Sequence, residues 1–423
     1  MNIKIKNILM LTPEMNIKKS NIYISGDKII SIGNEPEQMS FERVIDGKNK
    51  LAIPGLINTH THSYMSVFRN VADDLSFSDW LFGRISPLED KLTTDDMYWG
   101  AALGCIEMIR TGTTCFVDMN MDMCAVSRAV GDTGMRAVLS RGLVGEGNNE
   151  GGQRRLLENL NAHKENKNDN ISFLLGPHAP YTCDDEYLKI VTAAAKEHNL
   201  GITIHLSESE NEVETVLKRT KKTPIELMAD LGVFDVPTIA AHCVHLAEND
   251  ISVLKEKGVS VATNPKSNLK LANGAAPLVE LYKAGVNITI GTDSAASNNT
   301  LNMFSEMNYA ALLHKGLNKN PTVISALDAL TFATKNAAKA LGNPLIGELK
   351  EGNKADITIL DIDTPQFYPH NNLASALVYS ASGYECDTVI INGKIVMENK
   401  EIKTIDTERV YYECTKVMER IDR

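Results

Sequence analysis

Eight short apolar runs recur through the middle of this chain, separated by stretches with helical patterning. The runs fall at 53–59, 113–119, 136–143, 171–176, 201–206, 238–243, 259–263 and 287–291. Several are apolar almost without interruption, as strands of a buried parallel sheet are. The stretch "TTDDMYWGAALGCIEMIRTG" shows what separates them. Thr93 is placed to cap a helix with Asp96 three residues on, and Gly112 supplies the stop. Strand and helix in alternation build right-handed βαβ units. Eight strands over roughly 240 residues fit an α/β fold of the (β/α)8, TIM-like barrel type, usually about 250 residues long. An open doubly wound sheet satisfies the count as well.

The two ends alternate differently. "NIYISGDKIISIG" switches polar and apolar residues around Gly26-Asp27, and "DTVIINGKIVMENK" does so around Asn392-Gly393. Both are hairpin patterns, and Asn-Gly favours the tight type I′ turn. "KADITILDID" reads as a further strand, so the ends can pair into one small β-rich domain.

Charge excludes some partners. The 423 residues carry a formal net charge of −11, with no basic stripe, which argues against nucleic-acid binding. No apolar stretch reaches the roughly 18 residues of a membrane span. Seven scattered cysteines without a CxxC pair predict reduced thiols and a cytoplasmic location. Cys105, Cys115 and Cys243 sit in apolar runs and read as core residues.

In a barrel of this kind, chemistry gathers at the C-terminal ends of the strands. The first run ends in His60-Thr61-His62, and the fourth leads into His178. The fifth carries His205 and then Glu208, the sixth His242 and His245, and the eighth leads into Asp293. Six of the ten histidines thus lie at strand ends. Side chains at i and i+2 share a face of a strand, so His60 and His62 converge. With His205 and Asp293 they form a set suited to one divalent ion, zinc or iron. Such an ion makes hydroxide available near neutral pH.

Each residue also has an ordinary role open to it. His205 can be a satisfied core histidine, and Asp293 a turn residue in "TDSAASNN". Glu208 can be a solvated loop carboxylate beside Glu210 and Glu212, or a proton shuttle. His242 and His245 compete for a place beside the attacking water. Phosphate-loop, HExxH and EF-hand patterns are absent, and "GEGNNEGG" at 145–152 reads as a flexible loop.

Five stretches together resemble the amidohydrolase superfamily: "PGLINTHTH", "ITIHLSE", "AAHCVHL", "NPKSNLKLANGAAPL" and "GTDSAASNN". Within it the chain is similar to the 5-methylthioadenosine/S-adenosylhomocysteine deaminases. The resemblance implies a barrel over 53–342 and a β-sandwich from 1–52 plus 343–423. No lysine lies in 171–184 to bridge two metals, so one ion is expected, held by His60, His62, His205 and Asp293.

By the same resemblance, Glu89 binds the ribose hydroxyls, Trp80 forms an apolar wall and His178 hydrogen-bonds the nucleoside. Arg141 reaches the homocysteine carboxylate. Gln153 stands where some relatives have a second arginine, with Arg154 and Arg155 adjacent. The implied reaction is hydrolytic deamination at C6 of adenine. Water oriented by Asp293 and His242 attacks, Glu208 moves the proton to N1, and Glu208 and Asp293 both touch substrate. The implied partner is a small nucleoside, and the chain is compatible with a homo-oligomer. Guanine or triazine-type substrates are the alternative, and a non-catalytic scaffold relative a third reading.

Overall fold

The computed structural model describes residues 1–422. Eight parallel strands stand side by side in chain order: Leu56–Thr61, Thr113–Asn120, Arg136–Leu143, Ile171–Pro177, Gly201–Leu206, Thr238–His242, Ser260–Thr263 and Asn287–Ile290. The first and last are joined by the Asp293 N–H, which donates to the His60 carbonyl at 2.9 Å, and by the Thr59 hydroxyl, which donates to the Ile290 carbonyl at 2.9 Å. The sheet therefore closes into a barrel, and the open doubly wound alternative falls away. Val117, Val138, Ile239 and Ala262 pack as one small apolar cluster of the barrel sheet.

Helices cover the barrel, and the first long one forms as its sequence dictates. It runs Thr94–Arg110, with the Asp96 N–H donating to the Thr93 hydroxyl and the Thr93 N–H donating to Asp96. Gly112 follows at φ +77, where a side chain would also strike Thr358 and Cys386. The last helix, Thr407–Ile421, returns to pack on it, with Arg420 paired to Asp96.

The β-rich ends meet in one nine-stranded mixed sheet. Both hairpins form at the expected turns, with Gly26, Asn392 and Gly393 all at positive φ. Lys50–Pro54 joins the halves: it runs parallel to Asn2–Leu11 and antiparallel to Ile357–Asp361. The strands enclose a core rich in isoleucine, including Ile3, Ile5, Ile22, Ile24, Ile357 and Ile359, all fully buried. At about 1.5–3 kcal/mol per buried side chain, this core is the adhesive of the terminal β-sandwich.

One strand differs from the sequence reading. The run at 53–59 is split: Ile53 and Pro54 end the joining strand, and the barrel strand begins at Leu56. Gly55 is the break. A Cβ there would lie 2.0 Å from the Thr114 hydroxyl, so only glycine lets the chain pass from sheet to barrel at this point. The segment 145–152 also differs, since Glu150 opens the helix Glu150–Glu165 with Asn149 as its cap.

Candidate metal centre and active-site cavity

His60 lies at the end of the first barrel strand and His62 directly after it, His205 lies in the fifth, and Asp293 follows the eighth by three residues. The structure brings all four together. The Nε2 atoms of His62 and His205 are 3.2 Å apart. Asp293 Oδ1 lies 3.6 Å from His60 Nε2 and 3.5 Å from His62 Nε2. His242 joins from the sixth strand, close enough for His60, His205 and His242 to form a second candidate ligand group.

These residues fit a divalent cation on their own chemistry. His62 Nδ1 meets the Met119 carbonyl at 2.7 Å, and His205 Nδ1 meets the His178 carbonyl at 2.7 Å. A carbonyl only accepts, so each ring carries its proton on Nδ1 and presents a bare lone pair at Nε2. Two such lone pairs 3.2 Å apart repel unless a cation lies between them. His60 Nε2 is buried and has no hydrogen-bond partner. Burial pulls His60 down to about 4, so it too is neutral near pH 7. Burial would raise the Asp293 carboxyl, but the three histidines around it hold it well below the usual range. Three neutral imidazoles and one carboxylate are a zinc or iron set.

Asp293 is held from behind. Its Oδ2 accepts from the hydroxyls of Ser267 at 2.6 Å and Ser297 at 2.8 Å, leaving Oδ1 toward the histidines. Sequence reasoning missed both serines, although they lie in "NPKSNLKL" and "TDSAASNN". Asp293 and His242 sit at φ +60 and +72, a region costly for residues with side chains. Strain of this kind concentrates where a side chain must be aimed.

The proton-handling groups lie beside the ligands. Glu208 is buried, and burial raises its carboxyl above the ordinary range. It is therefore no solvated loop acid, and neither is Glu212, which burial pushes up to about 7. Glu208 Oε1 accepts from Asn273 at 3.1 Å, and Oε2 lies 3.8 Å from His242 Nε2. His242 Nδ1 donates to Asn268 at 2.8 Å, which turns Nε2 toward Glu208. Between the two competitors, His242 lines the cavity and His245 does not.

The site opens into a compact cavity of about 110 Å³. Trp80, Glu89, His178 and Tyr181 line it along with Glu208 and His242. Trp80 is buried and donates to the Ala296 carbonyl at 3.3 Å. His178 packs on the His205 ring, centroids 4.7 Å apart, and its Nδ1 meets the Thr182 hydroxyl at 3.0 Å. Glu89 accepts from the Tyr64 hydroxyl, and burial raises its carboxyl despite that bond. Asn120 also borders the cavity, buried and with both amide atoms unpartnered.

Arg141 is the residue the structure places elsewhere. Its guanidinium donates to Glu158 at 3.0 Å and to the carbonyls of Asn120 and Gly142 at 3.3 and 3.2 Å. It lines a neighbouring open cleft, and Met121 borders both spaces. The nearest strong acceptor, Glu158, has claimed it. Gln153 is not among the cavity-lining residues and its amide nitrogen is buried without a hydrogen-bond partner, Arg154 pairs with Glu158 at 3.7 Å, and Arg155 donates to the Val144 carbonyl at 3.2 Å.

Known proteins resemble this chain along nearly its whole length. Residues 51–396 match the profile of the amidohydrolase family. The chain is 49% identical over 423 residues to a 5-methylthioadenosine/S-adenosylhomocysteine deaminase of Thermoanaerobacter pseudethanolicus, covering 98% of each chain. It is 47% identical over 422 residues to a 5'-deoxyadenosine deaminase of Methanocaldococcus jannaschii, covering 99% of each. A zinc-bound adenosine deaminase from Xanthomonas campestris superposes with a TM-score of 0.95 at 29% identity, over 99% of this chain and 98% of that one.

Proposed function

The chain belongs to the amidohydrolase family, and we propose that it deaminates adenosine-type nucleosides by metal-dependent hydrolysis. The observation that carries this reading is one cavity lined by two sets of groups: the ligand cluster with the buried Glu208–His242 pair, and Glu89 with Tyr64, which offer groups for a sugar.

His60, His62, His205 and Asp293 would hold a divalent cation, which when bound would lower the pKa of water toward neutrality. The rest is done by the chain. Glu208 takes a proton from the attacking water and delivers it to N1 of the adenine ring as the new C6–O bond forms. It then assists protonation of the C6 nitrogen, which leaves as ammonia. Water and the 6-amino group thus give a 6-oxo purine nucleoside and ammonia, with no oxidant or reductant. A raised Glu208 pKa suits this double duty, because the group must both accept and return the proton near neutral pH. His242 Nε2 orients the water, and Asn268 fixes the tautomer that lets it do so. Glu89 receives the two vicinal ribose hydroxyls, Trp80 walls the base, and His178 hydrogen-bonds the nucleoside.

The barrel, entered at Leu56, carries this chemistry, while the strands of the two chain ends with Lys50–Pro54 between them form the terminal sheet. The substrate class follows the relatives: 5'-methylthioadenosine, S-adenosylhomocysteine and 5'-deoxyadenosine. The seven cysteines, all unpaired, support a cytoplasmic location. A panel of these nucleosides and adenosine, read by ammonia release and loss of adenine absorbance, tests the assignment. No turnover of any of them by metal-loaded protein overturns it.

A further inference from the structure

Glu212 is almost wholly buried, lies outside the cavity, and has no part in the chemistry above. It is the third residue of the helix Glu210–Thr220, whose cap is Ser209. An acid at this position ordinarily reaches back to the N–H of the cap residue. Glu212 reaches past it. One carboxylate oxygen accepts from the Ser207 N–H at 2.8 Å, the other from the Glu208 N–H at 2.9 Å. Its own N–H donates to the Ser209 hydroxyl at 3.2 Å, so the carboxylate arches over the turn that carries Glu208.

That turn joins two loops. Ser207 sits at φ +52, a conformation unfavourable for serine. Its carbonyl accepts from the N–H groups of both Val244 and His245, each at 2.9 Å. Those residues follow His242 and Cys243, themselves at φ +72 and +48. The Ser207 peptide is thus gripped on its N–H side by Glu212 and on its C=O side by the loop that aims His242. Moving it displaces Glu208 and loosens His242 together.

We propose that Glu212 is a positioning residue: its carboxylate fixes the 207–208 turn and so sets the distance between Glu208 and His242. The proposal rests on the proton-transfer role given to Glu208 above. Each N–H meets its own oxygen, an arrangement that a carboxylate supplies and an amide does not. In Glu212→Gln one backbone N–H faces an amide NH2, donor against donor. Metal ligation is not involved, since Glu212 touches none of the four ligands.

The test uses the full-length, metal-loaded protein with Glu212→Gln, Glu208→Gln and the double variant. Glu212→Gln is expected to keep one metal per chain and a KM within about twofold, with kcat falling by about 10²-fold, the scale of a 1 Å misplacement. The double variant is expected to be no slower than Glu208→Gln alone, because Glu212 acts through Glu208. A kcat within twofold of the parent, multiplying losses in the double variant, or loss of metal in step with kcat each overturn the proposal. Should Glu212→Gln fail to fold, Glu212→Asp, which keeps both acceptors one methylene short, is held to the same criteria. A crystal structure of the folded variant reads Glu212 independently of turnover. A Glu208 carboxylate displaced by about 1 Å upholds its role even if no nucleoside is a substrate, and an unmoved one overturns it.

Discussion

Two parts of the cavity lining are held differently. At the metal cluster main-chain carbonyls pin His62 and His205, and two serine hydroxyls turn Asp293. Around Glu89 side chains hold one another: Glu89 accepts from the Tyr64 hydroxyl, and in the neighbouring cleft Arg141 is taken by Glu158. Backbone positions are fixed by the barrel, so the first part is rigid before any ligand arrives. The second is set by rotamers that a ligand or a single substitution can redirect. Chemistry is thereby separated from choice of substrate within one cavity.

The sharpest way to break this contrast is at the rigid part. His205→Ala should lose the metal and bring turnover to background, as shown by metal analysis alongside ammonia release; retained metal would mean that the cluster has a spare ligand. Glu208→Gln comes next, with metal retained and kcat down by about 10²–10⁴-fold, read by metal analysis and kinetics together. Equal metal loss in both variants would erase the distinction between ligand and shuttle. Glu89→Gln moves to the adaptable part. It should lower kcat/KM for nucleosides by about 10–100-fold, the scale of hydrogen bonds to a charged group, and leave metal content untouched.

Smaller effects separate the two parts further. Ser297→Ala should cost about tenfold in metal affinity or activity, the low end for a group that orients a ligand, measurable by competition with a chelator. Glu158→Gln should do the opposite of damage. Released from its partner, Arg141 should improve kcat/KM for S-adenosylhomocysteine relative to 5'-methylthioadenosine by up to about fivefold, since the pair is partly exposed. An unchanged ratio would show that Arg141 cannot reach the tail of the substrate.

The same contrast explains what could be read from the sequence. His60, His62, His205 and Asp293 were legible because strand alternation and barrel topology fix where strand ends point. The Thr93–Asp96 cap was legible because its bonds are local. The start of the first barrel strand was not, because Gly55 is forced by Thr114, a neighbour distant in sequence. Burial of Glu208 and Glu212 depends on loops packing after the fifth and sixth strands, and no local pattern records that. Ser267 and Ser297 reach Asp293 from two separate helical turns. Arg141 depends on a choice between acceptors, which residue type alone does not decide.

The joining strand Lys50–Pro54 has a consequence for how the chain is made. It leads through Gly55 directly into the strand of His60, yet one of its partners is Ile357–Asp361 near the other end. On a ribosome adding roughly 5–20 residues per second, that partner arrives on the order of 15–60 s later. By the end of that interval every barrel strand has been made, while the sheet that the joining strand belongs to is still half built. A protein truncated before residue 357 should therefore keep its barrel sequence intact while Lys50–Pro54 lacks its antiparallel partner.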